Sequence, residues 1–512
     1  MKASKYFLLA WLTILLGTLL RFFMLTDKSL WYDEGQSLNY ADSSNFQEII
    51  TKLVTTKTGD RFQPLYYLVL FCWRHMFGNT EFALRSLSAF LGVGAVLVLF
   101  YTVLPLYGKK HAFWSVLLVS ISSYAVYYSQ QVRPYALLLF LASLQLYFFS
   151  KALNEREERD EIVSRCFFWI ITAFSLFCST LIALFSTALC LSHILVYRNL
   201  QRWLKWWIPA AILGLPAILF YLSSPSANDP TKVLVTPVRQ SIIQNIFFVL
   251  YGLLVGETYG PPIEGLRGIN KVQVLFSYWP HLLILFFVVA TIFIFLLMDL
   301  YKQPERKRYY HIDYFFASLF ALSLMIGFLF ALLTKYNWLP RHSFYIYLPL
   351  IILIPSIIRN RARKTRKFPG RLQYARLAII ALAILNIYSI SNYYFNNNYD
   401  RENYRLAAQY LMAHRGPDVE CVLLFGSLHL LSYYGDTVTL EGADLEKDLT
   451  NFAENVSKLT HDAKTVIIAV NYKLLWESTH KISVENAMSN LYILQSKASF
   501  TNFNMYHFVK KQ

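Results

Sequence analysis

Two adjacent acidic residues stand out near the start of the chain. Asp33 and Glu34 follow the first long apolar segment and are flanked by Trp31, Tyr32 and Gly35. Ionisable side chains beside a membrane are costly and usually serve a function, and a carboxylate can take the proton from an acceptor hydroxyl during group transfer. We therefore interpret Asp33 as the candidate catalytic centre and Glu34 as its neighbour, which orients Asp33, binds an ion or is simply solvated. The alternative is that the pair only caps the positive end of an interfacial helix.

A carboxylate on the outer face of a membrane suggests a particular chemistry. No nucleotides are supplied there, so synthetic reactions use activated lipids, whose phosphate must be held by cations. Arg133 and Arg341 each lie at the end of an apolar segment, on the predicted outer face. A planar guanidinium suits phosphate because it donates two hydrogen bonds and stays charged. Alternatively, these arginines anchor the chain among lipid headgroups.

The composition indicates an integral membrane protein. The 512 residues are 56% hydrophobic and only 15% charged, and the mean hydropathy is +0.37, which is too apolar for a soluble protein of this size. The formal net charge of +17 comes from Lys and Arg in short loops between apolar runs, as membrane topology requires. Nucleic-acid binding is therefore set aside. Four of the five cysteines lie in or beside apolar segments, so no disulfide framework is implied.

About eleven apolar segments are predicted to cross the bilayer. They cover residues 6–25, 82–105, 112–128, 134–150, 166–179, 182–197, 206–222, 279–300, 313–334, 343–358 and 377–391. A cytoplasmic N-terminus places the basic loops, including the run 359–376, on the inside, in keeping with the positive-inside rule. This orientation requires two short spans that meet at Ser179 and Thr180. The first segment lacks a small-residue cleavage site and is predicted to be a retained span.

The spans define a membrane domain, residues 1–391, followed by a C-terminal domain, residues 392–512. The membrane domain includes a first outer loop, 26–81, and a second outer loop, 223–278, which we interpret as a lid over the site. Interfacial helices are predicted in the first loop at Asn45–Thr56 and Pro64–Phe77. In the C-terminal domain we expect a small extracytoplasmic α/β fold without a catalytic motif. Its predicted elements are a helix at Tyr404–His414, a strand at Cys421–Phe425, a helix at Leu445–Leu459 and a strand at Thr465–Val470.

A set of short motifs in a fixed order runs through the membrane part. The motifs are Arg21, Ser29–Glu34, Pro64–Tyr67, Phe77-Gly78, Glu81–Arg85, Tyr128–Gln130, Arg133, Tyr135–Leu137, Gly256, Gly260-Pro261, Leu266-Arg267 and Arg341. In these motifs the chain resembles the bacterial GT-C superfamily of membrane glycosyltransferases. Within it, the chain is similar to dolichyl-phosphate-mannose-protein mannosyltransferases and aminoarabinose transferases. The resemblance implies a polytopic α-helical GT-C-like fold with about eleven transmembrane helices, and it covers the membrane part almost end to end.

The resemblance also implies roles for the site residues. Asp33, assisted by Glu34, would act as general base in an inverting transfer, while Arg133 and Arg341 would hold the donor phosphate. Weaker candidates for substrate contact are Gln63, Tyr66, Gln131, Tyr135, Glu257, Arg267 and His342. For the tyrosines the alternative is packing in the aromatic belt, for His342 an interfacial position, and for Glu257 an exposed loop acid.

Two departures from the family pattern bear on metal binding. Relatives often have His-Pro-Pro where this chain has Phe62-Gln63-Pro64, and Ser-Gln-Glu where it has Ser129-Gln130-Gln131. Both changes remove a potential metal ligand or acceptor contact. We therefore expect no obligatory cofactor, although Asp33 and Glu34 can still hold a divalent cation.

These observations predict a glycosyltransferase of the bacterial inner membrane. It would move a sugar from a polyprenyl-phosphate donor to a glycan, lipid or protein acceptor on the extracytoplasmic face, in contact with membrane lipid. A lipid-linked sugar transporter would instead have internal repeats and charges at mid-span, and the sequence contains neither. A non-catalytic scaffold for envelope polysaccharide assembly fits the appended domain and would tolerate loss of Asp33. The sequence leaves the sugar, the acceptor and the polyprenyl length open.

Overall fold

The computed structural model falls into two compact units. It describes residues 2–56, 58–155, 157–222, 242–262, 266, 271–301, 307–334, 337–358, 371–424, 426–442, 445, 451–471, 482–500 and 502–511. The first unit comprises Met1–Leu25, Tyr40–Tyr259 and Pro280–Ser391. The second comprises Thr26–Asn39, Gly260–Trp279 and Asn392–Gln512, so part of the predicted first outer loop belongs with the C-terminal segment. The predicted basic run 359–376 lies mostly outside the described residues, as does 223–241.

The described residues are mostly helical and include one small sheet. The helices are α1 Lys2–Phe22, α2 Tyr32–Ala41, α3 Phe46–Thr55, α4 Pro64–Phe77, α5 Glu81–Tyr107, α6 Lys109–Ser120, α7 Ser123–Ser129, α8 Tyr135–Asn154, α9 Glu158–Cys178, α10 Ile182–Tyr197, α11 Leu200–Leu222, α12 Ile242–Val255, α13 Lys271–Ser277, α14 Trp279–Tyr301, α15 Lys307–Thr334, α16 Phe344–Leu353, α17 Arg371–Phe395, α18 Tyr404–His414, α19 Leu428–Tyr433, α20 Phe452–Leu459 and α21 Val484–Met488. The strands are β1 Val419–Leu424, β2 Leu440–Glu441, β3 Thr465–Asn471, β4 Tyr492–Phe500 and β5 Phe503–Lys510. Short 3-10 turns lie at Gly59–Phe62, Pro340–His342, Ile354–Ile358 and Asn397–Tyr399.

The long apolar helices identify a multi-pass membrane protein. Among the described residues, eight helices are long and apolar enough to span a membrane, or nine if α6 and α7 form one bent span. The eight are α1, α5, α8, α9, α11, α14, α15 and α17. Helix α10 and the segment Phe344–Ile358 are apolar but shorter, so the count of eleven spans stays a prediction. A break between Cys178 and Ile182 separates α9 from α10, where the sequence analysis placed it.

Helices α6 and α7 bend by 57° relative to each other, and buried polar side chains hold the ends of the helices around this break. The guanidinium of Arg21, which is fully buried, donates to the carbonyls of Val119 and Ser120 at the end of α6. In return, the side-chain amide of Gln130 lies within hydrogen-bond distance of three carbonyls at the end of α1. Terminal carbonyls that would lack a partner inside an apolar bundle are thereby satisfied.

The two outer loops contain more helix than a loop description suggests. Helices α3 and α4 confirm both predicted helices of the first loop, and the side chain of Asn45 caps α3 by accepting from the backbone N–H of Glu48. The second predicted loop contains α12 and α13, which the sequence analysis did not predict. The apolar run of α12 is shorter than a span, so it was overlooked among the turn-forming residues on either side.

The C-terminal segment forms a five-stranded sheet in the order β2-β1-β3-β5-β4. Strand β1 pairs in parallel with β2 and β3, whereas β5 pairs antiparallel with β3 and β4. The predicted small α/β domain is therefore confirmed, with α18 and β3 where expected and β1 beginning two residues earlier. Of the predicted helix Leu445–Leu459, the structure has α20 over Phe452–Leu459, and residues 446–450 lie outside the described residues. The sequence analysis missed the hairpin β4–β5. Strand β4 is mostly exposed, so it lacks the apolar run that marks a buried strand.

Candidate active site

The second unit holds the acidic pair, and its two members have different surroundings. Trp31 precedes α2, and the carboxylate of Glu34 accepts from the backbone N–H of Trp31 at 3.2 Å. Glu34 is fully buried, so it acts as the helix-capping acid that the alternative interpretation described. Asp33, one residue earlier in the first turn of α2, is partly exposed. Of the two acids, Asp33 is therefore the one that a substrate can reach.

In the first unit, Arg133 forms a buried ion pair with Asp60, a residue that the sequence analysis did not consider. The distance from Arg133 Nη2 to Asp60 Oδ1 is 2.9 Å, and both side chains are less than a tenth exposed. Asp60 lies in the 3-10 turn Gly59–Phe62. The hydroxyl of Tyr67 donates to the same oxygen, and that of Thr58 donates to Oδ2 at 3.0 Å. The carboxylate of Asp60 thus holds Arg133, one of the two predicted phosphate-binding arginines, in place.

The charge state of Asp60 follows from these contacts. Burial by itself raises the pKa of this carboxyl, but the positive charge of Arg133 and the three hydrogen bonds to the carboxylate outweigh it, so the pKa of Asp60 lies below its ordinary value. For Tyr67 burial is the dominant effect, so the pKa of this hydroxyl lies well above its ordinary range. Asp60 is therefore an anion and Tyr67 a neutral donor at neutral pH.

Arg341 and His342 lie in the 3-10 turn Pro340–His342 of the same unit. The pKa of His342 lies well below its ordinary value because burial disfavours the charged ring and because Arg341 and Arg133 are positive neighbours, while a hydrogen bond from the ring to the backbone carbonyl of Asn337 opposes the shift. Both predicted phosphate-binding arginines are thus close enough to act on one neutral imidazole. His342 is only partly buried, so the interfacial alternative for this residue stays open.

Tyrosines connect these turns to Glu257. The hydroxyl of Tyr128 donates to Glu257 Oε1, and the ring of Tyr128 packs edge-on against Tyr135 with centroids 5.1 Å apart. The guanidinium of Arg133 lies 6.0 Å from the centroid of the Tyr135 ring, and Tyr124 donates to the carbonyl of Pro340 at 3.1 Å. Glu257 is partly buried rather than an exposed loop acid. The tyrosines are packing residues that also shape this polar region.

Three of the weaker candidates for substrate contact, Gln63, Tyr66 and Gln131, lie beside Tyr67 or Arg133. Gln63 precedes α4, with its side-chain oxygen 3.4 Å from the Tyr67 hydroxyl. Tyr66 is fully buried beside Tyr67, and Gln131 is buried next to Arg133, whose backbone N–H donates to the Gln131 carbonyl. Arg267 lies outside the described residues. Within the described part of the chain, no three His, Cys, Asp or Glu side chains form a group that could hold a metal ion.

The predicted site residues thus fall into two constellations. Arg133, Arg341 and His342 belong to the first unit, together with Asp60, whereas Asp33 and Glu34 belong to the second. The expectation that Asp33 and the two arginines share one membrane face stays a prediction. The sequence offered one signal for Asp60, an acid shortly before the Gln63–Tyr67 motif. Its partner Arg133 is 73 residues away, however, and spacing does not reveal that contact.

Comparisons with known proteins agree with this architecture. A family model described as dolichyl-phosphate-mannose-protein mannosyltransferase matches residues 63–226, which is less than half of the chain. Among solved structures, ArnT from Cupriavidus metallidurans in the apo state is similar over 97% of both chains, with 13% identity and a TM-score of 0.59. The same protein bound to undecaprenyl phosphate matches over 97% of both chains, with 13% identity and a TM-score of 0.56.

A third similar structure is the Archaeoglobus fulgidus oligosaccharyltransferase tethered with an acceptor peptide. It matches at 13% identity with a TM-score of 0.52, over 100% of this chain and 74% of that one. No curated protein matches the sequence. At these identities the likeness establishes the fold alone, which is the polytopic α-helical fold that the sequence resemblance predicted.

Proposed function

We propose that this protein is a membrane glycosyltransferase that moves a sugar from a polyprenyl-phosphate donor to an acceptor on the extracytoplasmic face of the bacterial inner membrane. The observation that carries this proposal is the partly exposed carboxylate of Asp33 in a chain with this fold over nearly its whole length. The similar ArnT structure that binds undecaprenyl phosphate supports a lipid-phosphate donor. The acceptor is a glycan, a lipid or a protein.

The proposed reaction is an inverting displacement at the anomeric carbon. Asp33 takes the proton from the acceptor hydroxyl as the oxygen attacks, and the bond from the sugar to the phosphate oxygen breaks, releasing the polyprenyl phosphate. Arg133 and Arg341 stabilise the negative charge that develops on this leaving group. Asp60 accepts a hydrogen bond from Nη2 of the Arg133 guanidinium, which restrains the orientation of this side chain.

His342 is a further member of the proposed leaving-group site. Its imidazole is neutral and has both arginines as positive neighbours, so it adds a hydrogen-bonding group without adding a third positive charge. Basic residues between the apolar segments support the orientation with the donor site outside. No metal ion is assigned a step. Asp33 and Glu34 remain our proposed pair for a divalent cation should one be required, with Glu34 already engaged at the helix end.

The test is sugar transfer by the purified protein in nanodiscs. The protein is given a panel of radiolabelled polyprenyl-phosphate sugars and a membrane extract as acceptor source. We expect the wild type to turn over at least one donor. Asp33→Asn should lower that turnover about 100-fold or more, which is the usual contribution of a general base, while still binding the labelled donor.

The matched control is Asp27→Asn, which makes the same change at an exposed acid six residues earlier in the same segment. It should behave as the wild type. Equal turnover by Asp33→Asn and the wild type would remove Asp33 from the mechanism. Absence of transfer with every donor would favour the scaffold instead.

A further inference from the structure

The segment that carries Asp33 is held by the C-terminal part of the second unit. Lys28 forms an ion pair with Asp400 at 2.5 Å, and the guanidinium of Arg405 donates to the backbone carbonyl of Thr26 at 2.9 Å. Arg401 lies over the ring of Trp31, 4.7 Å from its centroid. Residues 400–405 therefore contact residues 26–31, which directly precede helix α2 and Asp33, at several points.

Helix α19 and the residue after it contact the same segment from a different part of the chain. The backbone N–H of Leu30 donates to the hydroxyl of Tyr434 at 2.8 Å. A Cβ added at Gly35 would lie 2.5 Å from Cγ of Leu430, so the backbone of α2 approaches α19 as closely as a glycine permits. Residues 26–35 therefore pack against the C-terminal part of this unit.

Glu402 contacts the residue directly before Asp33. Its Oε2 accepts from the backbone N–H of Tyr32, the first residue of α2, at 3.3 Å. Glu402 is only 1% exposed, although acids are rarely buried without a specific partner. Helix N-termini leave backbone N–H groups unpaired, so an acceptor oxygen there stabilises the first turn. Helix α2 therefore receives one capping oxygen from Glu34 and a second one from Glu402, 370 positions after Tyr32.

The electrostatic environment of Glu402 includes the candidate base itself. Burial raises the pKa of Glu402 to about 7, the positive charge of Arg401 opposes this, and the charge of Asp33 adds to it. The charge of Glu402 in turn adds to the burial that raises the pKa of Tyr404. Glu402 and Asp33 are therefore close enough for their charges to interact. A change in the charge of one residue alters the electrostatic environment of the other.

We propose that the C-terminal domain takes part in the transfer reaction by positioning Asp33, with Glu402 as the positioning residue that caps helix α2. The inference rests on the proposed function. It assigns a task to a domain in which the sequence contains no catalytic motif. A loss of this cap frees the first turn of α2, and a misplacement of a reacting group by about 1 Å can cost as much as 100-fold in rate.

Three variants test this proposal in full-length protein. Glu402→Ala removes the acceptor, Glu402→Gln keeps an amide oxygen that can accept from Tyr32, and Glu454→Ala is a control that removes an exposed acid from the same domain. For each, kcat and the donor KM are measured, together with hydrogen exchange of the amides at residues 30–36. We expect Glu402→Ala to lower kcat by about 10-fold or more with little change in donor KM, and to speed exchange at these amides. Glu402→Gln and the control should remain within about 3-fold of the wild type, since a truncation matters only where it removes a contact.

The outcomes separate this inference from the proposed function. A wild type without sugar transfer overturns the proposed function. An active wild type with an equally active Glu402→Ala, or with unchanged exchange in that variant, overturns the positioning role. Should Glu402→Ala fail to fold, Tyr434→Phe removes only the hydroxyl that accepts from Leu30. It should speed exchange at residues 30–36 and lower kcat, and wild-type values for both would overturn the proposal.

Discussion

Asp60→Ala is the most informative single change in the first unit. It removes a carboxylate whose partner Arg133 is also less than a tenth exposed, at a distance of 2.9 Å. Truncating one member of a buried pair leaves an uncompensated charge and costs about 3–5 kcal/mol. The Tyr67 hydroxyl loses the acceptor that it shares with Arg133. Because both donors meet the same oxygen, the two losses overlap, and we expect about 4 kcal/mol in total.

A double-mutant cycle measures this pair directly. The cycle comprises the wild type, Asp60→Ala, Arg133→Leu and the double variant, each followed by thermal unfolding in the same detergent. The double variant should recover much of the stability that Asp60→Ala loses, because no unpaired charge is then left buried. A coupling energy within about 0.5 kcal/mol of zero would refute the reasoning, since it is the value found for independent sites.

The pH dependence of the same pair has a defined sign. The folded-state pKa of Asp60 is depressed, so its stabilising contribution is present above the unfolded pKa and is lost as the pH falls through the folded pKa. Acidification below the ordinary range of a carboxyl should therefore weaken the wild type more than Asp60→Asn. Parallel curves for the two proteins would contradict the assignment of a charged Asp60.

Two further predictions concern the second unit. The folded-state pKa of Glu402 is raised from 4.5 to about 7, so stability present below the unfolded pKa is lost as the pH rises to the folded value, by about 3 kcal/mol in total. Thermal unfolding between these pH values should show this loss in the wild type and not in Glu402→Gln, and equal slopes would contradict it. Gly35→Ala places a Cβ 2.5 Å from Leu430 Cγ and should cost about 1–3 kcal/mol through overpacking. The double variant with Leu430→Ala should recover stability in the same assay, whereas no recovery would show that this contact is not the cause.

Some residues that carry the family resemblance have structural roles at helix ends. Arg21 and Gln130 satisfy terminal carbonyls of α6 and α1, and Arg85 donates to the carbonyl of Leu25. Such contacts are valuable in a bundle of apolar helices, where an unpaired carbonyl has no water to bind. The motif residues therefore do not all point to the chemistry, and Asp33 and Arg133 have to be distinguished from them by their surroundings.

Much of the fold was predictable from the sequence. The limits of α4, α18 and β3, and the break between α9 and α10, follow from local hydropathy and turn residues, which act over one or two helical turns. Helix α12 was not predicted because its apolar run is short. The exposed strand β4 was missed because exposure removes the apolar pattern on which a strand prediction depends.

The sequence by itself showed that this is a multi-pass membrane protein, because the length of apolar segments and the placement of charged residues are local properties that a bilayer requires. It also singled out Asp33 and Arg133. Only the tertiary structure decided what surrounds them: Asp60 pairs with Arg133 across 73 residues, and Glu402 caps the helix of Asp33 across 370. A buried charge or helix end must be satisfied by whichever polar group the packing brings beside it, and spacing along the chain does not specify that group.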